Sequence, residues 1–233
     1  MNNLATSGII LRRIEYGEAD RIITFLTAEY GKMTAIAKGV RKQNSKLAGG
    51  VELFSVSELH FIKGRKEIDT LVSTRLQKHF GSIVKDVRRT EIGFLMLKVA
   101  YKTIEDGAGQ EYYPVLEDGL SALNELSIPA VLSELSFDMR VLQLLGHVPK
   151  FNVDQKGDAI GEADSYQFDF DLVKFIPAGG GLFTKNHVKL LRLLAHNSPL
   201  TLKAVQNVEQ YCDDLAPLVR HLAQQYLPIV LQT

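Results

Sequence analysis

A cluster of basic residues between positions 38 and 46 is the strongest chemical signal in this sequence. Four cations, at Lys38, Arg41, Lys42 and Lys46, are separated by small or polar residues. Neutralising phosphates supplies most of the affinity of sequence-independent nucleic-acid binding, so several cations on one flexible segment are its minimum requirement. We predict a phosphate-binding segment here, and the alternative interpretation is an ordinary solvated loop.

Further cations on both sides of this segment could extend the same surface. They are Arg12, Arg13 and Arg21 before it and Lys63, Arg65 and Lys66 after it. Binding of single strands also needs aromatic rings on which bases can stack. Tyr16 and Tyr30 lie in turn-like sequence and are the better stacking candidates, whereas the nearby phenylalanines have apolar neighbours typical of a core.

The charge of the chain is unevenly distributed along its length. The whole sequence is neutral, with 27 Lys and Arg against 27 Asp and Glu. Residues 1–80 hold 13 basic against 8 acidic residues, a net charge of +5, and the remainder holds 14 against 19, a net charge of −5. A basic N-terminal module on an acidic body favours a polyanionic partner for the first part of the chain.

No pattern typical of a catalytic or cofactor site is present. The sequence contains no Gly-x-Gly-x-x-Gly, no phosphate-loop motif, no His-Glu-x-x-His and no Gly-x-Ser-x-Gly. The six histidines form no ligand pair at helical spacing, and the single Cys212 forms neither an internal disulfide nor a multi-cysteine metal site. We therefore expect no enzyme activity, no cofactor and no metal.

Two features bear on the location of the protein. No apolar run approaches the ~20 residues that span a bilayer, and the first residues lack the basic and apolar regions of a signal peptide. We expect a cytoplasmic protein of a bacterial type, with no membrane partner.

The first 80 residues have the periodicity of short strands. Alternating or β-branched segments predict strands at 7–14, 21–27, 32–38, 51–63 and 66–75. Residues 28–31 form a hairpin-length loop in which Gly31 supplies a positive φ. Five strands with a long linker between the third and fourth fit a small Greek-key barrel of the OB type, although a three-plus-two sandwich remains possible.

From residue 81 the apolar period becomes helical. Predicted helices cover roughly 87–107, 112–126, 129–146, 186–196, 201–211 and 214–227. Residues 166–171 alternate like a half-buried strand, and Gly179–Gly181 marks a break. We predict an α+β protein with a barrel domain at 1–80 and a helical domain at 81–233, in which 147–185 form a small irregular β insert.

Over nearly its whole length the sequence resembles the RecO family of bacterial recombination mediators, and two stretches carry the resemblance, the N-terminal one being the more specific. Gly8–Lys42, GIILRRIEYGEADRIITFLTAEYGKMTAIAKGVRK, is similar to the N-terminal segment of that family, and 137–149, FDMRVLQLLGHVP, to its central helix. The resemblance implies an OB-fold barrel followed by a helical domain. It also implies binding of single- and double-stranded DNA, annealing of complementary strands, contacts with RecR and single-stranded-DNA-binding protein, help in loading RecA, and association with the nucleoid.

The same resemblance implies a role for Arg140 on the central helix. Its guanidinium matches a position that holds the acidic C-terminal tail of the single-stranded-DNA-binding protein. The alternative interpretation is an ordinary cation on the surface of a helix.

One segment departs from the family pattern. Many members carry four zinc-binding cysteines in the insert, where this chain has Val153, Lys156, Thr184 and His187. A structural zinc needs four nitrogen or sulfur ligands, and this set offers at most one. We predict that no zinc is bound and that the insert is held by Phe168, Phe170 and the Gly180–Gly181 turn.

Together these observations predict a DNA repair and recombination mediator without enzyme activity. The alternative is a protein-interaction adaptor whose barrel binds peptide rather than nucleic acid.

Overall fold

The computed structural model describes residues 3–64, 68–153, 159–160 and 163–227. The chain divides into two compact units, residues 1–125 and residues 126–233. The first unit contains the strands β1 to β5 and the helices α1 and α2. The second contains the short strands β6 and β7 and the helices α3 to α6. No helix in the described residues is both long enough and apolar enough to cross a membrane.

Five strands form a closed barrel in the first unit. They are β1 (Asn3–Tyr16), β2 (Asp20–Thr27), β3 (Gly31–Ala37), β4 (Ser55–Ile62) and β5 (Asp69–His79). The order around the barrel is β1-β2-β3-β5-β4, and the parallel pairing of β3 with β5 at Ala35 and Ile36 closes it. This is the predicted five-stranded OB fold, which is confirmed, and the alternative sandwich is excluded.

The barrel interior is filled by alternate residues of the strands, as the period of two requires. Ile10, Ile23 and Phe25 are fully buried there, and Phe25 meets Phe61 edge to face with ring centroids 5.5 Å apart. The register of β1 against β2 shifts between Ile10 and Arg12. Because of this bulge, Arg12 lies opposite Thr24 on the outer surface of the barrel.

Two helices complete the first unit: α1 (Val87–Thr103) and α2 (Tyr112–Asn124). Helix α1 packs on β1 and α2 on β2. The outward-facing Ile9 and Leu26 are fully buried although they do not point into the barrel. The predicted domain boundary after residue 80 matches the end of the strands, whereas the compact unit extends to Glu125. It does so because these outer apolar residues need the helices to cover them.

The second unit is built around α3 (Ala130–Leu144). Nine consecutive residues, 131–139, are buried, which is the pattern of a helix covered on all sides. Helices α4 (Lys185–His196) and α6 (Val208–Tyr226) pack against it. The predicted helix at 201–211 is wrong: α5 spans only Pro199–Leu202, and Asn207, with φ 56°, turns the chain before α6 begins. Asparagine is one of the few residues that adopt this left-handed conformation readily.

The insert forms a two-stranded sheet of β6 (Tyr166–Asp169) and β7 (Lys174–Pro177). Phe175 lies at its centre, edge to face with Phe168 at 5.1 Å and with Phe183 at 5.6 Å between centroids. Phe170 is 42% exposed in the turn, where the strand has already ended. The backbone of Gly181 packs so closely on the carbonyl of Tyr166 that a side chain there has no room. The insert is therefore held by aromatic packing and this turn.

Candidate nucleic-acid interface

An apolar ladder crosses the outer face of β1, β2 and β3. Ile14 pairs with Ile22, and Ile22 pairs with Ile36, in direct cross-strand register. Ile14 is 43% exposed, and the other two are half-buried. On one side of the ladder lies the row of Arg12, Thr24 and Thr34, and on the other lies Tyr16 beside Asp20. We call this surface the barrel face.

The basic segment leaves β3 at one end of the barrel face. Two hydrogen bonds tie its start to the turn between β1 and β2. The Gly39 amide donates to Asp20 Oδ1 at 2.7 Å, and the Arg41 amide donates to the Ala19 carbonyl at 2.9 Å. The segment is therefore anchored to the barrel at its start, so its first cations are held at the end of the barrel face.

Three lysines of this segment carry unbalanced charge. Lys38, Lys42 and Lys46 are exposed, and none forms an ion pair with a carboxylate in the described residues. Exposed ammonium groups of this kind attract phosphates at little desolvation cost. The structure thus keeps these three predicted site residues available to a ligand.

The two arginines nearby share one carboxylate. Glu15 on β1 lies 4.0 Å from the guanidinium of Arg21 and 3.4 Å from that of Arg41. All three side chains reach solvent, so these ion pairs contribute little to stability. Glu15 nevertheless reduces the positive potential at the end of the barrel face. The sequence does not single out this acidic residue, because Arg41 comes within reach of Glu15 only in the folded barrel.

The other two predicted arginines, Arg12 and Arg13, both lie on β1 and have different partners. Arg12 Nη1 donates to the hydroxyl of Tyr101 on α1 at 2.7 Å, and its guanidinium lies 5.1 Å from the Tyr101 ring centroid. Arg13 Nη1 donates to Glu52 Oε2 at 2.8 Å and to the Val51 carbonyl at 3.3 Å. Arg13 is therefore partly neutralised, whereas Arg12 keeps its charge.

Two further cations besides Arg12 lie near the Tyr101 ring. The ammonium groups of Lys32 and Lys102 lie 5.5 Å and 5.9 Å from the same ring centroid. Cations within about 6 Å of an aromatic ring are attracted by its quadrupole. The sequence signal for this group was the spacing of Phe94, Lys98, Tyr101 and Lys102, which places them on one face of a helix.

The remaining predicted residues of the first unit lie in several places. Tyr16 is 54% exposed at the end of the barrel face that carries the basic segment. Tyr30 is 37% exposed in the loop at the opposite end of β2, about 20 Å away along the strand. Lys63 is exposed just after β4, separated from β3 by β5. Arg65 and Lys66 lie outside the described residues.

In the second unit Arg140 is half-buried on α3, directly after the run of buried residues.

The positions that match the zinc-binding cysteines of the family have other roles in this chain. Thr184 precedes α4, and its amide donates to His187 Nδ1 at 3.0 Å. Nε2 of His187 therefore carries the proton and donates to Asp214 Oδ2 at 3.1 Å. Both ring nitrogens are engaged within the protein.

Val153 forms an isolated bridge with Ala159, and Lys156 lies outside the described residues. Within the described ranges, no group of three His, Cys, Asp or Glu is placed to hold a metal ion. The absence of zinc stays a prediction.

Comparison with known proteins gives one family. A family model described as "Recombination protein O N terminal" matches residues 1–80. Two similar relatives named "DNA repair protein RecO" come from Moorella thermoacetica, 35% identical over 61% of this chain, and Desulfatibacillum aliphaticivorans, 32% identical over 65%. The matches span 53% and 60% of the length of those relatives. A relative of the same name from Acetivibrio thermocellus is 27% identical over 97% of this chain and 93% of its own length.

Proposed function

The chain belongs to the RecO family of DNA repair proteins, and on this premise we propose that it is a DNA repair and recombination mediator. One observation supports the proposal above all. Lys38, Lys42 and Lys46 are exposed, form no ion pair with a carboxylate in the described residues, and lie on a segment whose start is hydrogen-bonded to the end of the barrel face. Electrostatic contacts of this kind bind any phosphate backbone, so both single- and double-stranded DNA are ligands. We expect the protein to act on the bacterial chromosome in the cytoplasm.

On the barrel face, phosphates contact Lys38, Lys42 and Lys46, with Arg21 and Arg41 as weaker contributors because Glu15 opposes them. Bases of a single strand lie over the isoleucine ladder and against Tyr16. Stacking and apolar contact of this type accept every base, whereas sequence readout requires polar groups aimed at base edges. Binding without sequence preference is what a protein that anneals complementary strands needs.

The mediator role adds partner contacts to DNA binding. RecR and single-stranded-DNA-binding protein are the proposed partners, with RecA loading as the outcome. Arg140 is the proposed contact for the acidic tail, because a guanidinium holds a carboxylate by two parallel hydrogen bonds. No step in this role breaks a covalent bond, so we propose a protein without enzyme activity.

The experiment that tests this function measures binding and annealing together. A fluorescein-labelled oligothymidylate is titrated with the full chain at 50 and 200 mM salt, and annealing of two complementary oligonucleotides is followed with a donor and acceptor dye. The proposal predicts affinity that falls steeply with salt and annealing faster than that of the free strands. Salt-independent or undetectable DNA binding would favour the adaptor function, in which the barrel binds peptide.

A further inference from the structure

A cleft separates β1 from α1 within the first unit. Its volume is about 510 Å³, within the range of small-ligand sites. Its lining includes the apolar side chains of Leu11, Leu53 and Leu97, of which Leu11 and Leu97 are buried and form what we call the floor. Four cations stand around this floor, Arg12 and Arg13 from β1 and Lys98 and Lys102 from α1. No carboxylate lines the cleft, although the chain as a whole has as many acidic as basic residues.

An exposed aromatic ring is fixed at this cleft. Phe94 is 48% exposed, and it meets Phe54 edge to face with centroids 5.0 Å apart. Phe54 is buried and adopts φ 57°, a conformation that costs a residue of this kind about 1–2 kcal/mol. Gly93 leaves room for it, since a Cβ there would lie 2.7 Å from the Phe54 ring. The strained backbone of Phe54 and the small Gly93 thus allow the Phe54 ring to support the Phe94 ring, which remains exposed to solvent.

Three of the four cleft cations, Arg12, Lys98 and Lys102, form no ion pair with a carboxylate in the described residues, whereas Arg13 is paired with Glu52. The Tyr101 ring holds Arg12 and Lys102 near one another without neutralising either of them. A ligand that fits has a flat, uncharged part for Phe94 and negative charge for the surrounding cations.

We propose that this cleft binds one nucleotide of a single DNA strand, with its base against Phe94 and its phosphates on Arg12, Lys98 and Lys102. The inference rests on the proposed DNA binding and adds a base-binding site to it. Arg12 belongs both to the row next to the isoleucine ladder and to the lining of the cleft, so the barrel face and the cleft share this residue. A paired base cannot enter, because it must first leave its stack. The cleft therefore gives preference for single strands.

An acidic peptide with an aromatic side chain has related chemistry. The continuity of the cleft with the barrel face favours the nucleotide, because DNA held by the basic segment is already present at high local concentration. Binding of such a peptide is therefore one of the results that the experiment below distinguishes.

The test compares two oligonucleotides of equal charge and length: a labelled 12-residue oligothymidylate and the same backbone with abasic sites. The wild-type chain should bind the oligothymidylate about tenfold more tightly, in keeping with the usual contribution of base stacking. Phe94→Ala should reduce that difference by the share that the cleft contributes and leave the salt slope unchanged, because Tyr16 and the isoleucine ladder still contact bases. Phe170→Ala, which truncates an exposed phenylalanine of the second unit, is the matched control and should keep the difference.

A second variant guards against misfolding of the first. Lys98→Gln combined with Lys102→Gln leaves the ring in place, and it should weaken binding of both oligonucleotides and lower the salt slope. Retention of the tenfold difference in Phe94→Ala would overturn the proposal, as would its loss in Tyr16→Ala alone. So would loss of binding in Phe94→Ala for an oligo-aspartate peptide ending in phenylalanine, with DNA binding intact. Absence of salt-dependent binding by the wild type would instead overturn the proposed function itself.

Discussion

Glu15 lowers the positive charge of the surface to which we assign phosphate binding. Its carboxylate contacts Arg21 and Arg41, and it has no other role in the barrel core because its side chain is exposed. In the proposed DNA site, an acidic residue therefore acts on the affinity as well as the basic ones. The resemblance to the family and the charge count could not reveal this, because neither shows which acidic residue lies beside which cation.

Glu15→Gln should tighten binding of a single-stranded oligonucleotide by about two- to fivefold at low salt, with the gain shrinking as salt screens the charges. Stability in urea should change by less than about 0.5 kcal/mol, as for exposed ion pairs generally. Glu18→Gln is the matched control, because Glu18 is exposed in the neighbouring turn without an ion pair in the described residues. Equal affinities of the two variants would contradict the assigned role of Glu15.

A second acidic residue, Asp138, is buried in the core of the second unit. Burial, and then the nearby Glu134 carboxylate, raise the pKa of Asp138 to about 8, while Arg220 opposes the shift. Arg220 is bound to Glu134 by two hydrogen bonds of 2.7 and 2.8 Å. The folded protein therefore holds a proton on Asp138 that the unfolded chain releases near pH 4.

Stability from this group is fully present below about pH 4 and is lost as the pH rises toward 8, because the folded state binds the extra proton. Asp138→Asn should remove this dependence. The difference in unfolding free energy between variant and wild type should grow by up to about 1 kcal/mol per pH unit between pH 4 and 8. Urea unfolding at several pH values measures it. Asp213→Asn, on the exposed side of α6, should show a curve parallel to the wild type, and a parallel curve for Asp138→Asn would refute the burial argument.

At the scale of elements, the hairpin between β2 and β3 is also a docking point. The Lys32 amide donates to the Ala108 carbonyl at 2.9 Å, and the Gly107 amide donates to the Lys32 carbonyl at 2.8 Å. Gly31, with φ 66°, packs against the same carbonyl of Ala108 so closely that no side chain fits. This contact fastens the loop between α1 and α2 to the barrel.

Gly31→Ala should cost about 3 kcal/mol or more in urea unfolding, because it combines a left-handed backbone with a clash against main-chain atoms. Gly17→Ala is the matched control: Gly17 has φ 56° with open space around it. It should cost only about 1 kcal/mol, for the backbone conformation alone. Similar losses in the two variants would show that the docking contact contributes nothing.

The elements were predictable from the sequence to different degrees. Alternation and the Gly31 turn predicted β2 and β3 within one residue at each end. The full length of β1 was not predictable, because the bulge near Leu11 interrupts its alternation. The left-handed Asn207 before α6 was also invisible, since asparagine in helical sequence gives no unique signal.

The residues of the candidate site were also predictable to different degrees. The exposure of Lys38, Lys42 and Lys46 could be predicted from local sequence, because a loop of cations needs no tertiary partner. The neighbours of Arg12 and Arg13 could not, because Tyr101 and Glu52 are distant in sequence and reach them only in the folded unit.

For the whole molecule, the uneven charge now has a structural location. Residues 1–80, with a net charge of +5, form the closed barrel and its basic segment. Residues 81–125, which include the helices that complete the first unit, hold 5 basic against 8 acidic residues. Lys102 of α1 lies near the Tyr101 ring. The second unit carries 9 basic against 11 acidic residues and includes Arg140. We therefore propose that the first unit binds DNA and that the second serves protein partners.

We propose that lysines at the end of the barrel face neutralise DNA phosphates. The most direct test of this proposal is the salt slope of oligothymidylate binding for Lys38→Ala combined with Lys42→Ala, with Lys185→Ala combined with Lys189→Ala as a charge-matched control on the exposed side of α4. Each lost phosphate contact lowers the slope by about 0.7 on single strands, so the first variant should lose about 1.4 and the control nothing. An unchanged slope in the first variant, or an equal loss in both, would contradict the proposal.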